Sequence, residues 1–360
     1  MNRRERFFAA VEGRSVDRPP VTAWVHFLSD HLSGARTAEL HLEFLREYDW
    51  DLAKVMNDYR YPLPAGLERL DSAEAMRRFR RLSMNERSFA EQLETISRLR
   101  RELGPDWPIV DTLFDPYQQV VRNVGFVQGR EIPRHPGAAA EMLDAVTETL
   151  CDYVRASRAA GADAFFLSVN TAIRGGFPRG VDEAISREFQ RPYDLRLLAA
   201  AAGSVRILHV HGVGLDLDRV LDYPFEVLSL SDRLQGNPSL AELRQRTDRC
   251  LMGGLNENTI QEKPLPELRA EVDDAIRRAG RQRLILAPGC TVASFTTLDL
   301  SAAYKGFKNW EIYGSIINVF NRIAPFDYSA GYGIYNYNFN YALSGATGTM
   351  FNLGARYTFQ

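Results

Sequence analysis

The chain has 360 residues, of which 45% are hydrophobic and 25% charged, the composition of a folded protein with one large or two medium domains. Its 44 Lys and Arg against 46 Asp and Glu leave a net charge of -2, which gives no electrostatic case for a nucleic-acid groove or an anionic membrane surface. Three scattered cysteines, Cys151, Cys250 and Cys290, exclude a disulfide scaffold. The absence of a secretory apolar region and of any window of about 18 apolar residues points to a cytoplasmic protein without a spanning helix.

Up to residue 294, short β-rich runs alternate with amphipathic segments, the pattern of βα units around a parallel sheet. Strands are predicted at Val21 to Val25, Asp51 to Met56, Pro108 to Leu113, Ala164 to Val169, Val205 to Val210, Glu226 to Leu230, Cys250 to Gly253 and Arg283 to Ala287. Helices are predicted between them, among them Thr37 to Tyr48, Ala138 to Ala160 ended by Gly161, and Leu265 to Ala279 ended by Gly280. Eight such repeats match a (β/α)8 barrel, for which about 250 residues is typical. A doubly wound open sheet is the alternative, but the expected glycine-rich turn is missing after the first strand, which runs through Thr22-Ala-Trp-Val-His-Phe27.

The last 66 residues have a different character. Sixteen of the chain's aromatic residues lie there, eight of them Tyr, with only seven charged side chains. From Thr347 to Phe359 apolar and small or polar residues alternate at strand period. Thr297 to Tyr304 and Asn309 to Phe320 also read as extended, and Asp327 to Ser344 as a loop. The fold class expected is therefore α/β, a (β/α)8 barrel over residues 1–293, followed by a short β-rich tail over 294–360.

In such a barrel the working residues follow the C-terminal ends of the strands. Those positions hold His26, Asp58, Asn170, His209, His211, Asn256 and Cys290. His209 and His211, two residues apart on an extended chain, project to one side, and Cys290 could close a three-ligand site with them. Zinc suits imidazole and thiolate donors, and three protein ligands leave a position open for substrate. The alternative is a histidine that only caps a strand, with Cys290 a small buried hydrophobe. Asp58 is the candidate acid or base, or else a helix cap or an ion-pair partner of Arg60. His26, Asn170 and Asn256 are candidate substrate contacts, although Asn after a strand is often a turn residue. Arg174 opens the segment Arg174-Gly-Gly-Phe-Pro-Arg-Gly180, a candidate cationic loop over an anionic substrate or a plain surface loop. Cys151 and Cys250 read as core.

Arg3-Arg-Glu-Arg6, Phe8 to Gly13, Asp17-Arg-Pro-Pro-Val21, Lys54-Val-Met-Asn-Asp58, Gly161-Ala-Asp163, His209-Val-His-Gly212, Gln235-Gly-Asn237, Met252-Gly-Gly254 and Leu286-Ala-Pro-Gly-Cys290 together resemble the uroporphyrinogen decarboxylase superfamily. The resemblance implies a (β/α)8 barrel and one of two chemistries, decarboxylation or zinc-dependent methyl transfer involving corrinoid proteins or thiols. Decarboxylases of the family carry Arg-Gln-Ala-Gly-Arg after the first strand, where this chain has Trp24-Val-His-Phe27. The methyltransferases place His-x-Cys after the fifth strand and a Cys in a Pro-Gly-Cys turn after the eighth. His209 and Cys290 match, and His211 stands in place of the first Cys. The resemblance thus implies His209, His211 and Cys290 as zinc ligands and His209 and Asp58 as catalytic residues. It also implies a small-molecule substrate and a corrinoid carried by a partner protein, with metal-free decarboxylation of uroporphyrinogen as the alternative.

Thr297-Leu-Asp-Leu300, Tyr304-Lys-Gly306, Trp310, Gly314 to Asn321, Ala324-Pro-Phe326 and Leu353 to Phe359 resemble the last strands of TonB-dependent outer-membrane receptors. This resemblance implies a fusion of two unrelated segments and, as a function of another class, a receptor fragment. So few strands cannot close a membrane barrel.

Overall fold

The computed structural model describes residues 1–174, 182–261, 263–292, 300–307, 309–317 and 350–357, and divides the chain into two compact units, Met1–Val292 and Ala293–Gln360.

In the first unit seven strands form one parallel sheet in sequence order: β1 (Ala53–Val55), β2 (Ile109–Phe114), β3 (Ala164–Val169), β4 (Val205–Val210), β5 (Val227–Ser229), β6 (Cys250–Leu255) and β7 (Leu284–Pro288). An order that never reverses excludes the doubly wound alternative. Helix Gly34–Tyr48 precedes β1, and helices Arg87–Leu103, Pro136–Ala160, Arg191–Ala200, Leu240–Arg246 and Leu265–Ala279 lie between the strands. Both faces of the sheet are buried, as a parallel sheet under helices requires. Val110, Ala164, Phe166, Val205, Ile207, Ile285 and Ala287 share one apolar cluster with Phe7 and Ala10 of helix Arg3–Glu12. The alternate residues, such as Phe165, Leu167, Leu208 and Leu228, belong to the cluster that packs against the helices.

The predicted strand Val21 to Val25 is reduced to one parallel bridge, Val21 with Leu286. Thr22 N–H donates to Leu286 O at 3.0 Å and Leu286 N–H to Pro20 O at 2.9 Å, while on the other side Asp51 N–H donates to Val21 O at 2.9 Å. The segment therefore lies between β7 and β1, where the missing first strand belongs. Its ladder fails because Pro19 and Pro20 have no N–H to give and because Val21 N–H donates to the Asp51 carboxylate, at 2.8 Å, rather than to a carbonyl. Asp51 is buried and also pairs with Arg18 and, at 2.7 Å, with Arg6, whose guanidinium reaches Asp17 as well. The Arg-rich N-terminal motif is thus a clamp that fastens the chain start to the barrel.

Most other predictions shift by a few residues at their ends. The strand predicted from Arg283 starts at Leu284 because Arg283 has a left-handed φ of 54°. The helix predicted from Thr37 begins at Gly34, capped by Ser33, whose hydroxyl accepts the Arg36 N–H. Helix Pro136–Ala160 ends at Gly161, φ 120°, as expected. Cys250 is buried in β6, and Cys151 is half-buried on helix Pro136–Ala160.

The second unit is an antiparallel sheet of β8 (Leu300–Phe307), β9 (Trp310–Ile317) and β10 (Met350–Tyr357), with β9 central. The pairs Tyr304 with Ile312 and Phe351 with Ile316 set its register. All three predicted tail strands are present over these spans. Their outer residues, 297–299, 318–320, 347–349 and 358–359, and the predicted loop Asp327 to Ser344 lie outside the described residues. Among the described residues, no helix is long and apolar enough to cross a membrane.

Candidate functional site

Strand β4 places its inward residues at Val205, Ile207 and His209, so the same alternation carries His211 to the inner side one step beyond the strand. The chain turns sharply after it: Gly212 has φ 110°, and a Cβ there would come within 2.8 Å of the Ile173 side chain. Cys290 arrives from the end of β7 through Gly289, where a Cβ would lie 2.2 Å from Ser231 Cα. Only glycine allows that approach, which explains the Pro288-Gly-Cys290 sequence. Asn237 ties the neighbouring loops, its Nδ2 donating to Gly212 O at 2.8 Å and to Ser231 O at 3.0 Å.

The result is a compact donor set. One ligand atom each from His209, His211 and Cys290 lies within 4.8 Å of the others, and Cys290 Sγ is 3.9 Å from His211 Nδ1. In a tetrahedral zinc site such donors stand about 3.3–3.6 Å apart, so a contraction of about an ångström converts the cluster into three corners of a tetrahedron. The donor chemistry fits as well. His209 is buried, with Nδ1 3.2 Å from Ser229 Oγ and its ring stacked on Phe166 at 4.8 Å. Burial, with help from His211 and Lys54, pushes its pKa well below the usual histidine range. The ring is therefore neutral, and with Nδ1 facing Ser229 Oγ its Nε2 is the nitrogen left to meet a metal.

Lys54, on the inner side of β1, was not singled out from the sequence. Its Nζ donates to Thr112 Oγ1 and to Met56 Sδ, both at 2.8 Å, and lies 4.1 Å from the Phe166 ring centroid and 4.7 Å from that of Trp24. Burial lowers its pKa to about 7, against the attraction of Cys290, Asp111 and Asp58. The available signal was one lysine between the apolar positions of a strand whose two faces are both covered.

Asp58 and His26 form a second pair, Nδ1 to Oδ1 at 2.6 Å, with side chains 5% and 10% exposed. The other carboxylate oxygen accepts from Ser29 N–H at 3.2 Å and Ser29 Oγ at 3.3 Å. Burial opposes the charge on Asp58, but the His26 ring and the Ser29 N–H outweigh it and hold its pKa at about 2. His26 follows Trp24, whose carbonyl accepts Val292 N–H at 2.9 Å and the Thr291 hydroxyl at 3.3 Å. The pair therefore stands on the segment next to Cys290.

The remaining candidates are engaged locally. Asn170 is buried, and its Oδ1 accepts from Gln190 Nε2 at 2.9 Å. Asn256 Oδ1 accepts from Asn258 N–H at 3.0 Å, the turn geometry weighed for it above. Arg174 is exposed, with Nη2 3.8 Å from Asp216 Oδ1; the loop 175–180 lies outside the described residues.

A parallel barrel with a His-His-Cys cluster at the C-terminal ends of its strands defines a class of enzyme-like folds before it defines a reaction. The family model for Uroporphyrinogen decarboxylase (URO-D) matches residues 2–304; the chain belongs to this family. Among solved structures, a methyltransferase from Methanosarcina mazei is similar at 21% identity and a TM-score of 0.65, over 81% of this chain and 94% of the other. A B12-independent methionine synthase from Shewanella sp. W3-18-1, in complex with selenomethionine, is similar at 11% identity and a TM-score of 0.48, over 78% of this chain and 89% of the other. At 21% identity the likeness to the Methanosarcina mazei protein is one of fold. No curated protein matches the chain. None of the comparisons supports the receptor resemblance of residues 294–360, and the family match itself extends past residue 293 to 304.

Proposed function

We propose that the barrel unit, residues 1–293, is an enzyme in which His209, His211 and Cys290 hold zinc for methyl transfer to a thiol, with a methylated corrinoid on a partner protein or another methylated compound as donor. The observation that carries this reading is the convergence of one thiol and two imidazoles within 4.8 Å at the strand ends where barrel enzymes place their chemistry. Zinc, when bound, lowers the pKa of a thiol that ligates it and presents the sulfur as a nucleophile. The chain's own residues do the rest. Ser229 orients the His209 ring through Nδ1, and Gly289 brings the Cys290 thiol to the cluster. Phe166, stacked on the His209 ring, packs edge to face with Trp24 at 5.3 Å.

The substitution of His211 for a thiolate leaves the donor set with one negative charge instead of two, which favours substrates that bring their own anionic sulfur. His26, on the segment bonded to the residues after Cys290, pairs with Asp58 and is a candidate for substrate contact, with Asn170, Arg174 and Asn256 as secondary candidates. Family membership favours metal-free decarboxylation of uroporphyrinogen as the second reading, which needs no role for the cluster. Incubation of the zinc-loaded chain with methylcobalamin and an alkyl thiol separates the two. Thioether formation that is lost in Cys290→Ala supports methyl transfer. Absence of thioether together with carbon dioxide release from uroporphyrinogen supports the second reading.

A further inference from the structure

His211 and Cys290 stand at the ends of β4 and β7, which are not neighbours in the sheet, since β5 and β6 lie between them. The parallel ladder therefore does not pair the two donors directly, and their separation has to be set by the loops beyond the strands. A continuous series of side-chain contacts spans that gap. Beside His211, the Gly212 carbonyl accepts from Asn237 Nδ2 at 2.8 Å, and the same amide donates to Ser231 O at 3.0 Å. The Ser231 hydroxyl in turn donates to Glu257 Oε1 at 2.5 Å. Glu257 follows β6 and is only 4% exposed. Its carboxyl also receives the N–H of Gly289, the residue before Cys290. Its other oxygen, Oε2, has no hydrogen-bond partner among the described residues. The relay thus runs from the residue after one donor to the residue before the other. Asn237 closes the Gln235-Gly-Asn237 motif, and Glu257 carries no mark in the local sequence.

We propose that Glu257 is a positioning residue that, through Ser231 and Asn237, holds the Cys290 turn at the distance from His211 that a shared metal ion requires. The inference deepens the metal reading of the His209, His211 and Cys290 cluster and rests on it. Glu257 works as an acceptor. Ser231 and Gly289 are both buried, and removal of the carboxyl leaves their hydroxyl and N–H donors without a partner, which costs each its desolvation. A side-chain amide offers the same acceptor oxygen. Because Oε2 makes no bond, exchanging it for nitrogen gives up no contact. Glutamine should therefore serve at this position where alanine does not. Groups that orient the ligands of a metal from outside typically contribute a factor of about 10–100 in affinity.

The test is spectroscopic and needs no substrate. Cobalt(II) in place of zinc shows the geometry directly, because thiolate ligation adds a sulfur-to-cobalt band in the near ultraviolet. The metal-free full chain is titrated with cobalt(II). The native chain and Glu257→Gln should develop this band with the same affinity. Glu257→Ala, shown to be folded by circular dichroism, should bind about 10–100-fold more weakly, with the sulfur band reduced. Native affinity and a native band in Glu257→Ala overturn the inference. An equal loss in Glu257→Gln also overturns it, since the charge and not the acceptor would then be what matters. If Glu257→Ala does not fold, Asn237→Asp cuts the other end of the relay at constant size, and native cobalt binding there overturns the inference. A native chain that takes up no cobalt overturns the metal reading, and a metal-free arm then tests the positioning of the turn separately. Cys290 and Cys151 are both half-buried, so Cys151 serves as the internal reference for alkylation by iodoacetamide. Cys290 should react faster in Glu257→Ala than in the native chain or Glu257→Gln, and an unchanged rate overturns the positioning role.

Discussion

Cys290 Sγ stands 3.9 Å from His211 Nδ1 although 79 residues separate them. The approach depends on backbone, because the turn that delivers Cys290 passes so close to Ser231 Cα that no side chain fits at residue 289.

Gly289→Ala is therefore expected to displace the Cys290 turn. The new methyl group would meet backbone atoms, Ser231 Cα at 2.2 Å and Leu230 O at 2.9 Å, neither of which can rotate away. A loss of about 1–3 kcal/mol in stability and a loss of bound zinc are expected, measured by urea denaturation and by metal analysis. Unchanged zinc content in this variant would show that the turn does not define the site.

Ser229→Ala removes the partner of His209 Nδ1 without touching a proposed ligand. Outer partners of this kind typically contribute a factor of 10–100 in metal affinity. Competition with a chromophoric chelator should show zinc bound that much more weakly. An affinity equal to that of the native chain would mean that His209 needs no orienting bond.

Lys54 predicts an unusual pH dependence. Its pKa falls from 10.5 unfolded to about 7 folded, driven by burial. Between pH 7 and pH 10.5 the unfolded chain therefore holds a proton that the folded chain has lost, and this residue makes stability rise with pH over that window. Below pH 7 both states are protonated and the cost of burying the charge is fully present. Lys54→Met should thus be more stable than native at pH 6, by a few kcal/mol at most, with the gap closing towards pH 10. A gap independent of pH, measured by denaturation at each pH, would contradict a buried amine of this kind.

Much of this was legible in the chain, and the exceptions have physical causes. The strand interiors stood out because both faces of a parallel sheet are buried, so Ala164 to Val169 and Val205 to Val210 matched their predicted bounds. The first strand did not, since its hydrogen bonds are diverted by Pro20 and by the Asp51 carboxylate, and a carboxylate 30 residues away leaves no mark on local pattern. The spacing of His209 and His211 announced a shared side, and the Pro-Gly-Cys turn announced the third donor. The partners that give those residues direction, Ser229 for His209 and Asp58 for His26, lie 20 and 32 residues away. They become neighbours only when the strands are laid side by side. Lys54, named only within the Lys54-Val-Met-Asn-Asp58 motif, received no role of its own because a single polar residue in an apolar strand acquires meaning only from what surrounds it.

The most direct test of the whole account is the zinc content of the purified chain after loosely held metal has been removed, compared with that of Cys290→Ala. About one zinc per native chain, lost in the variant, is the predicted result. A soluble, folded native chain that retains no zinc would contradict the His209, His211 and Cys290 site and leave metal-free decarboxylation as the reading to pursue.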